Sequence, residues 1–151
     1  MLDTDGYQLV MNTQIHHFLK QYARSIRELL RADPAASEPA LAPAFQELLK
    51  NLLPLLDAVP SLTVAPEYNK KGVGRPDIAL IRQGQPPRAF VELKAPSKDA
   101  NPERWKGAHD KRQYERLKEL RRWSSSNFAA FHLFSLDDCI GDAVIVPAKA
   151  L

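Results

Sequence analysis

The sequence predicts an α/β sandwich with a mixed β-sheet, and three patterns carry that prediction. Residues 11–31 and 37–57 each repeat apolar side chains at three- and four-residue steps, the period of an amphipathic helix. Three short apolar runs follow, at 62–67, 76–82 and 88–94. A strongly charged helical stretch at 108–122 then precedes two more strand-like runs, 127–135 and 142–147. Two helices, three strands, a helix and further strands place a sheet between helical layers.

The first helix shows Ile15, Phe18, Leu19, Tyr22, Ile26, Leu29 and Leu30 on one face and stops before Pro34, which disfavours helix at the preceding residue. The adjacent His16 and His17 point about 100° apart on a helix, a poor metal pair and an ordinary surface one. The second helix takes Ser37 as N-cap, with Glu38 in the first turn where the helix dipole favours an acid. Its stripe is Leu41, Phe45, Leu48, Leu49, Leu52, Leu53 and Leu56, with Pro43 marking its first turn and Pro54 kinking its last. The turn residues Gln83-Gly84-Gln85-Pro86 join the second and third strands as a hairpin. A polar loop spans 95–106, and the helix after it turns Tyr114, Leu117 and Leu120 inward.

At 151 residues with 44% apolar content, one domain with a sizeable core is expected. No apolar run reaches the roughly 18–20 residues of a membrane helix, and acids stand where a signal peptide carries positive charge. With the single cysteine, Cys139, this points to a cytoplasmic setting and no membrane. The net charge of +3 is unevenly spread: residues 69–98 hold seven Lys/Arg against two acids, and 103–122 hold eight against four. A polyanionic partner explains this concentration; a solvated helix face explains the second segment almost as well.

The centre of the chain is RPDIALIRQGQPPRAFVELKAPSK, residues 75–98. Two carboxylates and a lysine among strand residues are costly to bury without a purpose. A hairpin symmetric about Gly84-Gln85 sets Asp77 opposite Glu92 and Ile78 opposite Val91. Opposed Cβ atoms lie about 4.5–5.5 Å apart, a separation suited to two carboxylates sharing one hard cation. Lys94 falls on the same face as Glu92, and the Leu93 backbone carbonyl supplies another oxygen. Without a cation, two acids this close repel and one stays protonated. With Mg²⁺ (Mn²⁺ as a substitute) both become ligands, while Lys94 orients water or steadies developing negative charge. The bland alternative makes Lys94 only a salt-bridge partner in a surface cluster.

Pro76-Asp77, fourteen residues, then Glu92-Leu93-Lys94 resembles the PD-(D/E)XK nuclease signature. With HDKRQYERLKEL beyond the polar loop, the stretch is similar to the N-terminal nuclease domain of Type ISP restriction-modification enzymes and related N-6 DNA methylase polypeptides. The likeness covers roughly residues 37–135 and implies a restriction-endonuclease-like α/β/α sandwich at 37–151, with residues 1–36 an N-terminal helical extension. It implies Asp77 and Glu92 as metal ligands and Lys94 as the catalytic lysine. It also implies a further acid from the first core helix, at Glu38 or secondarily Glu47, and a glutamine on the next helix, Gln113, near the site or the DNA. The aromatic usual four residues after that glutamine is replaced by Leu117.

DNA contacts are expected from Lys70, Lys71 and Arg75 before the hairpin and from Lys98, Arg104 and Lys106 after it, positioning the backbone without reading sequence. Trp105 either stacks on a base or packs as a lid on the core. No base-reading module is evident, so specificity is expected from a homodimer or from a methyltransferase or helicase partner. The expected function is Mg²⁺-dependent phosphodiester hydrolysis on DNA; the alternative is an inactive DNA-binding or protein-interaction module on the same fold.

Overall fold

The computed structural model describes residues 4–56, 62–69, 71 and 74–146. Helix α1 (Thr4–Ala32) and helix α2 (Glu38–Leu56) precede strands β1 (Leu62–Pro66), β2 (Ile78–Arg82) and β3 (Ala89–Leu93). Helix α3 (Ala108–Leu117) and strands β4 (Trp123–Ser126), β5 (Ala130–Ser135) and β6 (Asp138–Val144) complete the order. The strands form one six-stranded sheet in chain order, β1 to β6. Only the β3–β4 pair is parallel, and α3 lies in its crossover; the other four pairs are antiparallel.

Alternation along the strands explains the layering. Ile78, Val91 and Leu93 face α1 and α2, packing with Tyr22, Ala23, Ile26, Leu41, Phe45 and Leu48. Ala79 and Phe90 face the other way, against Leu117, Leu120, Trp105, Trp123 and Phe134. The result is the expected α/β/α sandwich with a mixed sheet and an additional N-terminal helix. The hairpin register also matches expectation: Ile78 pairs with Val91, Ala79 with Phe90 and Leu80 with Ala89, around a turn whose Gly84 has φ of 72°.

Several boundaries differ. Helix α1 begins at Thr4 rather than near residue 11. Leu9 and Val10 in its early turns are exposed, so they add nothing to the buried stripe that marks the later turns. Its second half belongs to the core: Ile26 is fully buried, and the Tyr22 hydroxyl donates to Phe128 O at 2.6 Å. Helix α2 runs through both Pro43 and Pro54. Helix α3 stops at Leu117, five residues short of expectation, and tight turns carry Leu120 into the core.

The least expected element is β4, whose sequence Trp-Ser-Ser-Ser shows no apolar strand pattern. It is nonetheless buried, because side-chain bonds satisfy its hydroxyls: Ser125 Oγ donates to Ala100 O at 2.6 Å and Ser126 Oγ to Ala130 O at 2.9 Å. The run expected at 127–135 splits accordingly. Asn127 Oδ1 accepts from the Ala129 and Ala130 amides to form a turn, and β5 starts only at Ala130. Strand β6 starts at Asp138, four residues before the expected 142, and pairs with β5 through a register shift at Leu133/Phe134.

Because Ile26 is sealed in the core while Leu9 is in solvent, Ile26→Ala is expected to cost roughly 2–4 kcal/mol. Leu9→Ala should stay within about 0.5 kcal/mol. Chemical denaturation of the two variants measures the difference.

Candidate active site

Strand β3 carries the site because charge is buried at its end, on Glu92 within it and on Lys94 just beyond it. Glu92 and Lys94 are 4% and 5% exposed, as deep as the apolar core. They share the face of Phe90 and lie under α3, whose Asp110 and Gln113 are one helical turn apart and so project side by side. Lys94 Nζ donates to Glu92 Oε1 at 3.2 Å, Asp110 Oδ1 at 3.3 Å and Gln113 Oε1 at 2.6 Å. An ammonium has three N–H bonds, so every one is used. Gln113 Nε2 returns a bond of 2.5 Å to Glu92 Oε1, and the Trp105 ring lies 4.7 Å from Lys94 Nζ. The arrangement is a buried network, not a surface ion-pair cluster.

Asp77 lies just before β2, where the hairpin register extended by one residue sets it across from Glu92. Its Oδ2 accepts from Leu93 N at 2.6 Å. Glu38, at the start of α2, reaches the same end of β3 and accepts from Ala95 N at 2.9 Å through Oε1. Glu38, Asp77 and Leu93 line one cleft of about 260 Å³, with Glu67 at its rim. The site thus sits at the end of the β2–β3 hairpin, reached by α2 from one layer and α3 from the other.

Burial and neighbouring charges shift these groups. Burial, then the neighbouring Asp77 charge, push the Glu92 carboxyl up to about 8. Burial also raises Asp77, against the opposing Leu93 amide bond. Burial alone would lower Lys94, but the Glu92 and Asp110 charges outweigh it and hold its ammonium above the ordinary lysine range. Asp110 is pulled below the ordinary range: the Lys98 and Lys94 bonds overcome its burial.

Do these residues suit a divalent metal? Glu92 Oε2 is buried with no hydrogen-bond partner, a costly state for a carboxylate oxygen. Glu38, Asp77, Glu92 and Asp110 set four carboxylates against the Lys94 and Lys98 ammonium groups, a formal excess of two negative charges. The donors are all oxygen, the preference of a hard cation. Among the described residues no three His, Cys, Asp or Glu side chains form a cage for an ion. Mg²⁺ characteristically uses one or two carboxylates and fills its other positions with water and phosphate oxygens. The residues fit that mode.

Placement of the other expected residues is uneven. Gln113 is drawn into the network rather than left at a DNA surface. Glu47 is exposed on α2 and bonds Asn51 instead of approaching the cleft. Trp105 is 4% exposed and bonds Asp99 O through Nε1, so it is a lid over Lys94 and not a stacking platform. Among the loop cations, Arg75 pairs with Glu67, Lys98 with Asp110 and Arg104 with Asp99. Lys71 and Lys106 are exposed, and Lys70 lies outside the described residues. Asp110 is a site residue that the sequence pattern did not single out; its spacing of three before Gln113 on one helix was the available signal.

No family model and no curated protein sequence matches the chain. Among solved structures, a chain of a cryo-electron-microscopy DrdV–DNA complex aligns with a TM-score of 0.66 at 18% identity. The fold is restriction-endonuclease-like. The alignment covers 89% of this chain but 13% of that one, so it matches one segment of a much longer polypeptide. No described helix is long and apolar enough to cross a membrane.

The raised Glu92 carboxyl has a direct consequence for stability. Between its ordinary 4.5 and about 8, the folded chain retains a proton that the unfolded chain releases. Metal-free protein should therefore lose stability as pH rises through that window. Melting curves in EDTA from about pH 5 to about pH 8 should show the decline in wild type and a flatter profile in Glu92→Gln. Added Mg²⁺ should raise the wild-type melting temperature most at the alkaline end.

Proposed function

We propose that this chain is a Mg²⁺-dependent nuclease module of the PD-(D/E)XK type that hydrolyses phosphodiesters in DNA. The observation that carries this is Glu92: a buried carboxyl group with an unpartnered oxygen, close enough to Asp77 for the two charges to raise its pKa. The similarity in shape to a segment of a DNA-complexed protein supports DNA as the substrate.

Asp77, Glu92 and the Leu93 carbonyl would hold the ion, with Glu38 as a further acid lining the cleft beside Asp77. When bound, the ion supplies Lewis-acid activation of water and neutralises charge building on the phosphoryl oxygens. The chain's own residues orient the rest. Leu93 N fixes one Asp77 oxygen and leaves the other for ligation. Gln113 fixes Glu92 Oε1 and leaves Oε2 without a hydrogen-bond partner. Lys94 is a fixed cation rather than a general base, since its three N–H bonds are all taken up by oxygen acceptors. It stabilises the developing negative charge by exchanging one of these bonds for a phosphoryl oxygen. A compact ammonium suits this pocket; a planar guanidinium does not.

We further propose a restriction-type role, of the kind seen in the Type ISP polypeptides it resembles. A homodimer or a methyltransferase or helicase partner would supply sequence choice, because no described element is arranged to read bases.

Supercoiled plasmid with Mg²⁺ or Mn²⁺ tests the proposal. Wild type should nick or linearise it, EDTA should stop the reaction, and Asp77→Ala or Lys94→Ala should reduce the rate on the order of 10²-fold or more. Lys94→Arg should not restore it. Salt-sensitive binding without cutting would identify an inactive DNA-binding module instead.

A further inference from the structure

Away from the hairpin, a groove of about 660 Å³ runs between α1 and the edge strand β6. Every Lys and Arg of α1 lines it: Lys20, Arg24, Arg27 and Arg31, with Glu28 the one acid. Its opposite wall is residues 143–145. Steps of four, three and four residues keep the cations within about 60° of arc at 100° per residue. They form a straight row about 16 Å long at 1.5 Å per residue, comparable to the rise of about five nucleotides in one DNA strand.

Three details set this row apart from a solvated helix face. None of its four cations makes an ion pair among the described residues, whereas Arg75, Lys98 and Arg104 near the hairpin are all paired. Arg27 Nε is buried with no hydrogen-bond partner, an unsatisfied donor within the groove. Finally, β6 is the last strand of the sheet among the described residues, and an edge strand presents alternate backbone N–H groups to an acceptor.

We infer that the α1–β6 groove is a second nucleic-acid contact, a track for a phosphate backbone that is separate from the hairpin site. It rests on the proposed function only in taking DNA as the polyanion. Residues 1–36 carry equal numbers of acidic and basic side chains and so look neutral in sequence; folding collects the basic ones on one side of the helix. The track gives the module a grip that does not depend on the metal, consistent with a site whose own flanking cations are largely held in internal ion pairs.

Binding of a fluorescent DNA duplex, read by anisotropy in EDTA across about 50–200 mM salt, tests this. The triple variant Lys20→Ala/Arg24→Ala/Arg31→Ala alters exposed positions only. It should weaken binding at least tenfold at low salt and flatten the log–log salt slope by roughly two to three, at about 0.9 per phosphate contact. Glu28→Lys, which adds a cation, should tighten binding, an effect that misfolding does not produce. Affinity and slope within twofold of wild type in the triple variant, or a wild type that does not bind, would overturn the inference. Because the readout is metal-free binding, a failure of plasmid cutting does not alter the outcome of this test.

Discussion

The structure depends on a buried charge on β3. Glu92 and Lys94 occupy positions that alternation assigns to the core, and each is exposed by 5% or less. Burying ions is costly unless every partner is supplied. For Lys94 the surrounding structure supplies them: α3 contributes Asp110 and Gln113, and the loop between β3 and α3 folds Trp105 over the ammonium. The loop is anchored in turn by Ser125 Oγ on Ala100 O and by Asn127 Nδ2 on Lys98 O. An interior strand of serines is the physical counterpart of that anchoring.

One oxygen is left out of this network. Lys94, Gln113 and Asp110 satisfy one another and Glu92 Oε1, while Glu92 Oε2 stays buried and unpartnered. Asp77 and Glu38 add negative charge at the same end of the hairpin. A divalent cation would answer both the acidic charge and the orphaned oxygen, at the end of the hairpin where Asp77 and Glu38 line a cleft.

Much of this was visible in the residues. The turn at Gln83-Gly84-Gln85 fixes the hairpin register, and that register brings Asp77 toward Glu92. Strong helical periodicity announced the docked half of α1 and all of α2. What stayed hidden had weak or misleading local signals. Trp123–Ser126 lacks apolar alternation, because its hydroxyls are satisfied by partners distant in sequence or across a turn. Asp110 looked like one more charge on a charged helix until the parallel crossover brought α3 over Lys94. Trp105 in a basic loop looked equally suited to a base or a lid, and only the depth of Lys94 beneath it decides. The basic row on α1 was masked because residues 1–36 carry as many acids as bases; helical spacing brings Lys20, Arg24, Arg27 and Arg31 along one groove.

The central claim is that Asp77 and Glu92 share one cation. A crystal soaked in Mn²⁺ and measured for anomalous scattering tests it most directly. Shared ligation predicts a single strong peak at about 2.1–2.2 Å from an oxygen of each carboxylate, on the Oε2 side of Glu92, with Lys94 still bonded to Oε1. The peak should vanish in Asp77→Asn. A peak elsewhere, or no peak while wild type and Glu92→Gln retain the same metal affinity in solution, would contradict it.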